Sequence, residues 1–298
     1  MNLVVIQRPE RGLLGGSKEL QLDIAVNKES FKTCISQLGQ RTISVSSEGH
    51  YENLQRAYYD ISTLLMLFDG QFYPTEQVFL NGQDVTHNWL AKELLYFSSA
   101  DFLIGINSKL IEFDSTLDKN VLQKWDRVRH KLDIIHNIVL YCTSDVKMPI
   151  DIKCVFMIES FEGIYELLKT YDKEFKKPDI PKTESKLKYY LQSIMEQYGL
   201  GIFSKEQSLN SPQFLRILVD SRNRIAHIKR KQDVFLDGQE SLVMIQKLFI
   251  LYRTVFFKLL GIPRSLYETR LKEVVSSIDS RKTMIVFFIK LQEASETT

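Results

Sequence analysis

The feature that most restricts the fold is a helical repeat of apolar residues that recurs after residue 120. Between Val121 and Leu140 they fall at 121, 125, 128, 132, 135 and 139, the three-to-four spacing of a helix with one buried face. Residues 151–171 repeat it with Val155, Ile158, Phe161, Tyr165 and Leu168. Leu242, Ile245, Leu248 or Phe249, Tyr252, Phe256 and Leu259 extend it again, until Gly261-Ile-Pro263 stops the run. A shorter helix is predicted around Leu187–Tyr198, ending at Gly199 and Gly201, and one or two more over 266–293. Helices in this number bury their stripes only against one another, so the chain reads as mainly α, an antiparallel helical bundle.

The N-terminal region differs. Leu3–Ile6, Leu20–Val26 and Thr42–Ser46 read as strands, the second with Gln21, Asp23 and Ala25 on its polar face. Gly12, Gly15 and Gly16 suggest a hairpin loop between the first two; they have neither GxGxxG spacing nor a Walker lysine. Residues 50–69 read as a helix stopped by Asp69-Gly70 and Pro74. Asn81-Gly82 suits a type I′ turn inside a hairpin over 77–86. Residues 88–112 suggest a further helix or a broken pair, and the charged stretch 173–188, with Pro178 and Pro181, reads as a loop. The expected division is a small β-rich N-terminal region with one helix over 1–84, a helical domain over 85–262 and a C-terminal helical extension over 263–298.

Composition excludes several classes. The net charge of the 298 residues is +2, so any nucleic-acid site must be a local patch. Cys34, Cys142 and Cys154 form no CxxC pair, which argues against a structural zinc site and suits a reducing compartment. No segment approaches 18 apolar residues and the first residues lack a signal-peptide plan, so the expectation is a cytoplasmic protein with no membrane partner.

The chemistry-bearing stretch is Asp220-Ser-Arg-Asn-Arg-Ile-Ala-His-Ile-Lys-Arg-Lys231. Leu215, Leu218 or Val219, Arg222, and Ile225 or Ala226 share one helical stripe, with Ser208, Asn210 or Ser211 as cap and Pro212 in the first turn. Arg222 stands where an apolar residue belongs, which is costly unless the guanidinium is paired or faces a wet cleft. Glu159 or Glu162, near the stripe of 151–171, can supply the pairing carboxylate; Glu159 is the candidate that would orient Arg222. Arg222 and His227 lie five apart, roughly 140° around a helix, so they converge only where the helix ends or bends near Ala226, or across a dimer axis. His227 can move a proton near neutral pH, Arg222 can hold charge on a phosphorane-like oxyanion, and Asn223 can hold the imidazole or a phosphate oxygen. Arg224, Lys229, Arg230 and Lys231 form a cation run fit to grip phosphates. Few aromatics interleave with them, so base stacking is not indicated. The bare Arg-to-His spacing is weak, since roughly 0.7 matches arise by chance in a chain of this composition. A second match, Arg129 with His136, reads as the polar flank of an amphipathic helix.

Arg222-Asn223-Arg224-Ile225-Ala226-His227 matches the Arg-polar-x3-His motif of the HEPN superfamily. With Phe214-Leu-Arg-Ile-Leu-Val-Asp220 before it and a long apolar helix after it, the chain resembles the ApeA-type HEPN proteins of bacterial phage defence over roughly residues 85–262. The resemblance implies a HEPN-like helical bundle and a ribonuclease that uses no metal or cofactor. It also implies a homodimer with both motifs lining one cleft, Arg222 and His227 catalytic and Asn223 supporting. RNA is then the expected partner, in an antiphage, abortive-infection or toxin setting. Two other readings stay open: a non-catalytic HEPN subunit that dimerises or binds RNA for a partner, and a HEPN toxin paired with a nucleotidyltransferase antitoxin. The last type carries His-x-Tyr, whereas position 229 here is Lys.

Overall fold

The computed structural model describes residues 1–7, 18–26, 29–87, 109–181, 185–226 and 235–296. Its contacts separate two units, Met1–His130 and Lys131–Thr298. The chain is mainly α with a small antiparallel sheet at its N-terminal end.

In the first unit, β1 (Asn2–Gln7), β2 (Lys18–Val26), β3 (Glu29–Leu38), β4 (Gln40–Ser46), β5 (Thr75–Leu80) and β6 (Gln83–Asp84) form one antiparallel sheet. Its order is β2-β3-β4-β1-β5-β6. Period-two burial sets the register: Leu3 faces Val45, Val5 faces Ile43, and Ile43 faces Ile35. The covering helix is α1 (Tyr51–Asp69), with Leu54, Tyr58, Ile61, Leu65 and Phe68 buried. β3 is an addition to the strands read from sequence. Its inward positions are Phe31, Thr33, Ile35 and Gln37, and the two polar ones mask the alternation. The expected hairpin joining β1 to β2 is corrected: β1 pairs with β4 and β5, and β2 with β3. Gly12, Gly15 and Gly16 themselves lie outside the described residues, as do 88–108 of the helix expected over 88–112. Asn81 and Gly82 both take positive φ, 50° and 81°, and Leu80 faces Gln83, so the predicted two-residue turn is present.

The second unit holds α2 (Lys119–Thr143) beyond residue 130, α3 (Ile150–Tyr171), α4 (Lys186–Tyr198), α5 (Ser204–Ala226), α6 (Gly238–Leu260), α7 (Glu268–Asp279) and α8 (Lys282–Glu296). α3 packs on α4, α5 and α6, and α8 packs on α5 and α6. The sequence showed one apolar stripe on α6, yet every residue from Val243 to Phe257 is buried. That is the property of a central helix enclosed by neighbours on all sides. Asp237-Gly238, which reads as a turn in sequence, is the start of this helix. Asp237 accepts from the backbone N–H of Gln239 and Glu240 while Glu240 reaches back, a capping box. Gly261 ends the helix at φ 75°.

Enclosure extends to a charge. Lys247 of α6 is fully buried and donates to Glu206 of α5 and, at 2.8 Å, to Asp279 of α7. Burial holds the Glu206 carboxyl above the ordinary range against the pull of Lys247. One ammonium thus ties three helices, and deleting it strands the buried Glu206 carboxyl and leaves Asp279 with Lys205 at 3.8 Å. Lys247→Met is expected to cost roughly 3–5 kcal/mol of unfolding free energy, read from the urea midpoint. A loss below about 1 kcal/mol, the usual size for a point change, would contradict this role.

Candidate active site

The motif helix is assembled in two pieces. α5 carries a non-helical residue, Asn210 (φ −163°, ψ 83°). Its Oδ1 accepts from the backbone N–H of Gln213 at 3.1 Å, so Asn210 is the cap among the three candidates, and Pro212 sits in the turn it starts. From there Phe214, Leu215, Leu218 and Val219 are buried. Arg222 continues their stripe at the edge of the core, with its side chain 18% exposed.

Glu159 of α3 faces it. Arg222 donates through Nε to one carboxylate oxygen of Glu159 and through Nη2 to the other at 2.8 Å. This is the two-point fork that a guanidinium makes with a carboxylate. Arg222 also donates through Nη1 to Asn223 Oδ1 at 2.9 Å. Three groups from two helices are therefore joined in one hydrogen-bonded array. The hydrogen bonds to Glu159 push the Arg222 guanidinium above its ordinary range, so it stays charged at all working pH values. Glu162, one turn further along α3, is affected in the opposite way for an acid. Burial and then the neighbouring Glu159 charge raise its carboxyl, with Arg222 and Lys186 pulling it down.

The other expected site residues separate. His227, Lys229, Arg230 and Lys231 lie outside the described residues, and Ala226 is the last described residue of α5. Arg224 is exposed and not beside Arg222, since two residues turn a helix by roughly 200°. Its guanidinium lies 3.6 Å from the centroid of the Phe235 ring. Phe235 was not singled out from sequence. It lies eleven positions along the chain from Arg224, outside any helical repeat, and only the return of the chain toward α6 brings it there.

The second motif match is corrected. Arg129 and His136 are not a polar flank; both are buried. Arg129 is paired to Asp60 and, at 3.1 Å, to Asp126. His136 Nδ1 lies 2.7 Å from Tyr252 Oη. Each is committed to its own unit.

Residues 153–266 match the family model described as Apea-like HEPN. Over this segment the chain is similar to Apea-like HEPN domains. The matched segment holds Glu159, Arg222 and Asn223 together, and its first matched residue lies in α3. The HEPN family is made up in general of ribonucleases. Comparison with curated proteins and with solved structures gave no match. No helix among the described residues of the protein is long and apolar enough to cross a membrane.

The raised Glu162 carboxyl gives a pH signature for this part of the matched segment. A folded-state value above the unfolded one contributes stability below the unfolded value and loses it as pH rises through the folded value. Glu162→Gln removes the ionised form. Its melting temperature should exceed wild type near pH 8, with the difference vanishing toward pH 4. A difference that grows on acidification would contradict the sign.

Proposed function

We propose that the protein is a metal-independent endoribonuclease acting through Arg222, Asn223 and His227, an antiphage or toxin-type effector. The observation that carries this reading is the two-point hold of Glu159 on Arg222. A guanidinium fixed in a partly wet position on an otherwise apolar stripe has no packing role that an aliphatic residue would not serve better. It is suited to a site where negative charge develops.

The reaction follows from RNA chemistry. The 2′-oxygen forms a bond to the adjacent phosphorus as the bond from phosphorus to the 5′-oxygen breaks. The 2′-proton passes to a base, and the 5′-oxygen takes a proton from an acid. His227, next in sequence after Ala226, has the side chain that performs either transfer near neutral pH. Arg222 holds the charge on the phosphorus-bound oxygens. Asn223 steadies the guanidinium, and Lys229, Arg230 and Lys231 hold flanking phosphates. Separate acid and base groups are supplied when two copies of the motif face one cleft, so the active form is a homodimer.

The test is degradation of RNA in excess EDTA. Wild type should retain its activity in the chelator. His227→Ala should slow cleavage by about 100-fold or more, the usual worth of a positioned acid or base. Arg222→Lys should lose most of the rate because an ammonium cannot make the fork with Glu159. Equal activity from wild type and His227→Ala would remove the proposal.

A further inference from the structure

Beside the motif helix, near its last described turn, lies a cavity of about 230 Å³. Asp151, Cys154 and Val155 of α3 line it, with Ser221, Arg224 and Ile225 of α5, then Phe235, Leu236 and Ser241. We propose that it is a nucleobase subsite. An unpaired base of the bound RNA stacks against the Arg224–Phe235 pair and turns its edge toward Asp151. This inference rests on the ribonuclease reading and names how that site selects its substrate.

The platform is the first observation. A guanidinium 3.6 Å from a ring centroid lies against the ring face, and the two together offer a flat, cationic surface. Unstacked RNA bases are held on such surfaces, aromatic rings and guanidinium planes alike. A cation meant only to attract phosphate gains little from being laid on a ring.

The platform is also fixed in place. The backbone N–H of Leu236 donates to Ser221 Oγ at 2.9 Å, and Ser221 donates to the Ile217 carbonyl at 2.7 Å. The Phe235 carbonyl accepts from Lys290 of α8 at 3.3 Å, and Lys290 pairs with Glu240 at 3.1 Å. Phe235 is thus anchored through its own carbonyl and through the residue after it, so the backbone that carries the ring is held before any ligand arrives and less entropy is lost on binding.

The lining suits a base and little else. Val155, Ile225 and Leu236 give apolar walls for ring faces, while Asp151 and Ser241 give polar groups for an edge. Ligand pockets for drug-sized molecules run roughly 300–1,000 Å³, so this cavity takes a single ring system rather than a whole nucleotide. The Cys154 thiol is pushed well above its ordinary range by burial and stays neutral, so it does not repel a ligand. Asp151 is an acceptor only. Its carboxylate receives an N–H from the 6-amino group of adenine or the 4-amino group of cytosine and meets a keto oxygen unfavourably at the same point of guanine or uracil.

The experiment measures RNA binding by the full-length His227→Ala protein, which leaves the RNA uncut, with a single abasic site walked along an oligonucleotide. One position should be sensitive. Removing the base there should weaken binding roughly fivefold or more, the low end of one lost stacking contact. In the Phe235→Leu and Arg224→Lys variants that sensitivity should disappear, with melting curves confirming that both are folded. Arg224→Lys separates the alternatives, because it keeps a phosphate-binding charge and loses the planar stack. At the sensitive position, uracil and guanine should bind more weakly than adenine or cytosine, and Asp151→Asn should narrow the difference. The same abasic penalty at the same position in both variants, or no sensitive position at all, would overturn the subsite while leaving the ribonuclease reading intact. If the protein bound no RNA and wild type cut none, that reading would fall and the subsite with it.

Discussion

Everything at the candidate site depends on a charge that occupies an apolar position. Arg222 continues a stripe of Leu215, Leu218 and Val219, and a lone guanidinium there would lose hydration with nothing in return. Glu159 resolves this with a carboxylate whose two oxygens accept from two of its nitrogens. The pair is only partly withdrawn from water, at 18% and 38% side-chain exposure, so screening keeps its share of folding stability near the roughly 0–1 kcal/mol of surface pairs. Its larger effect is geometric. It holds one plane of the guanidinium, and with it Asn223, in a fixed orientation.

That orientation is only as firm as the helices carrying it. α3 and α5 pack on each other, and α3 also rests on α6, a helix enclosed along fifteen consecutive residues from Val243 to Phe257. Lys247 ties α6 to the first turn of α5 through Glu206 and to α7 through Asp279. The Asn210 break then restarts α5 with a new cap, which sets the rotation at which Arg222 emerges beside Glu159. A fixed guanidinium costs no reorganisation when charge appears on a substrate, which is how such groups act in catalysis.

The helical part of this arrangement was legible because apolar residues repeat at 3.6, and a period is a local property. Arg222 was legible for the same reason, as the one charge that broke its stripe, and the carboxylate opposite it could be narrowed to Glu159 or Glu162. What sequence did not show was contact between distant segments. Phe235 meets Arg224 only because the chain doubles back, so the aromatic absent from the cation run arrives from outside it. β3 was hidden by Thr33 and Gln37 at inward positions, and the first hairpin was misjudged because neighbours in sequence are not neighbours in this sheet. Arg129 and His136 looked solvated because spacing says nothing of the buried partners Asp60 and Tyr252.

The most direct measurement is a double-mutant cycle between Glu159→Gln and Arg222→Lys on single-turnover RNA cleavage. If the carboxylate acts by holding the guanidinium, the double variant should be little slower than Arg222→Lys alone, because the second change removes a hold on a fork already lost. If the two rate losses simply multiply, Glu159 and Arg222 act independently, and a site built on their pairing is contradicted.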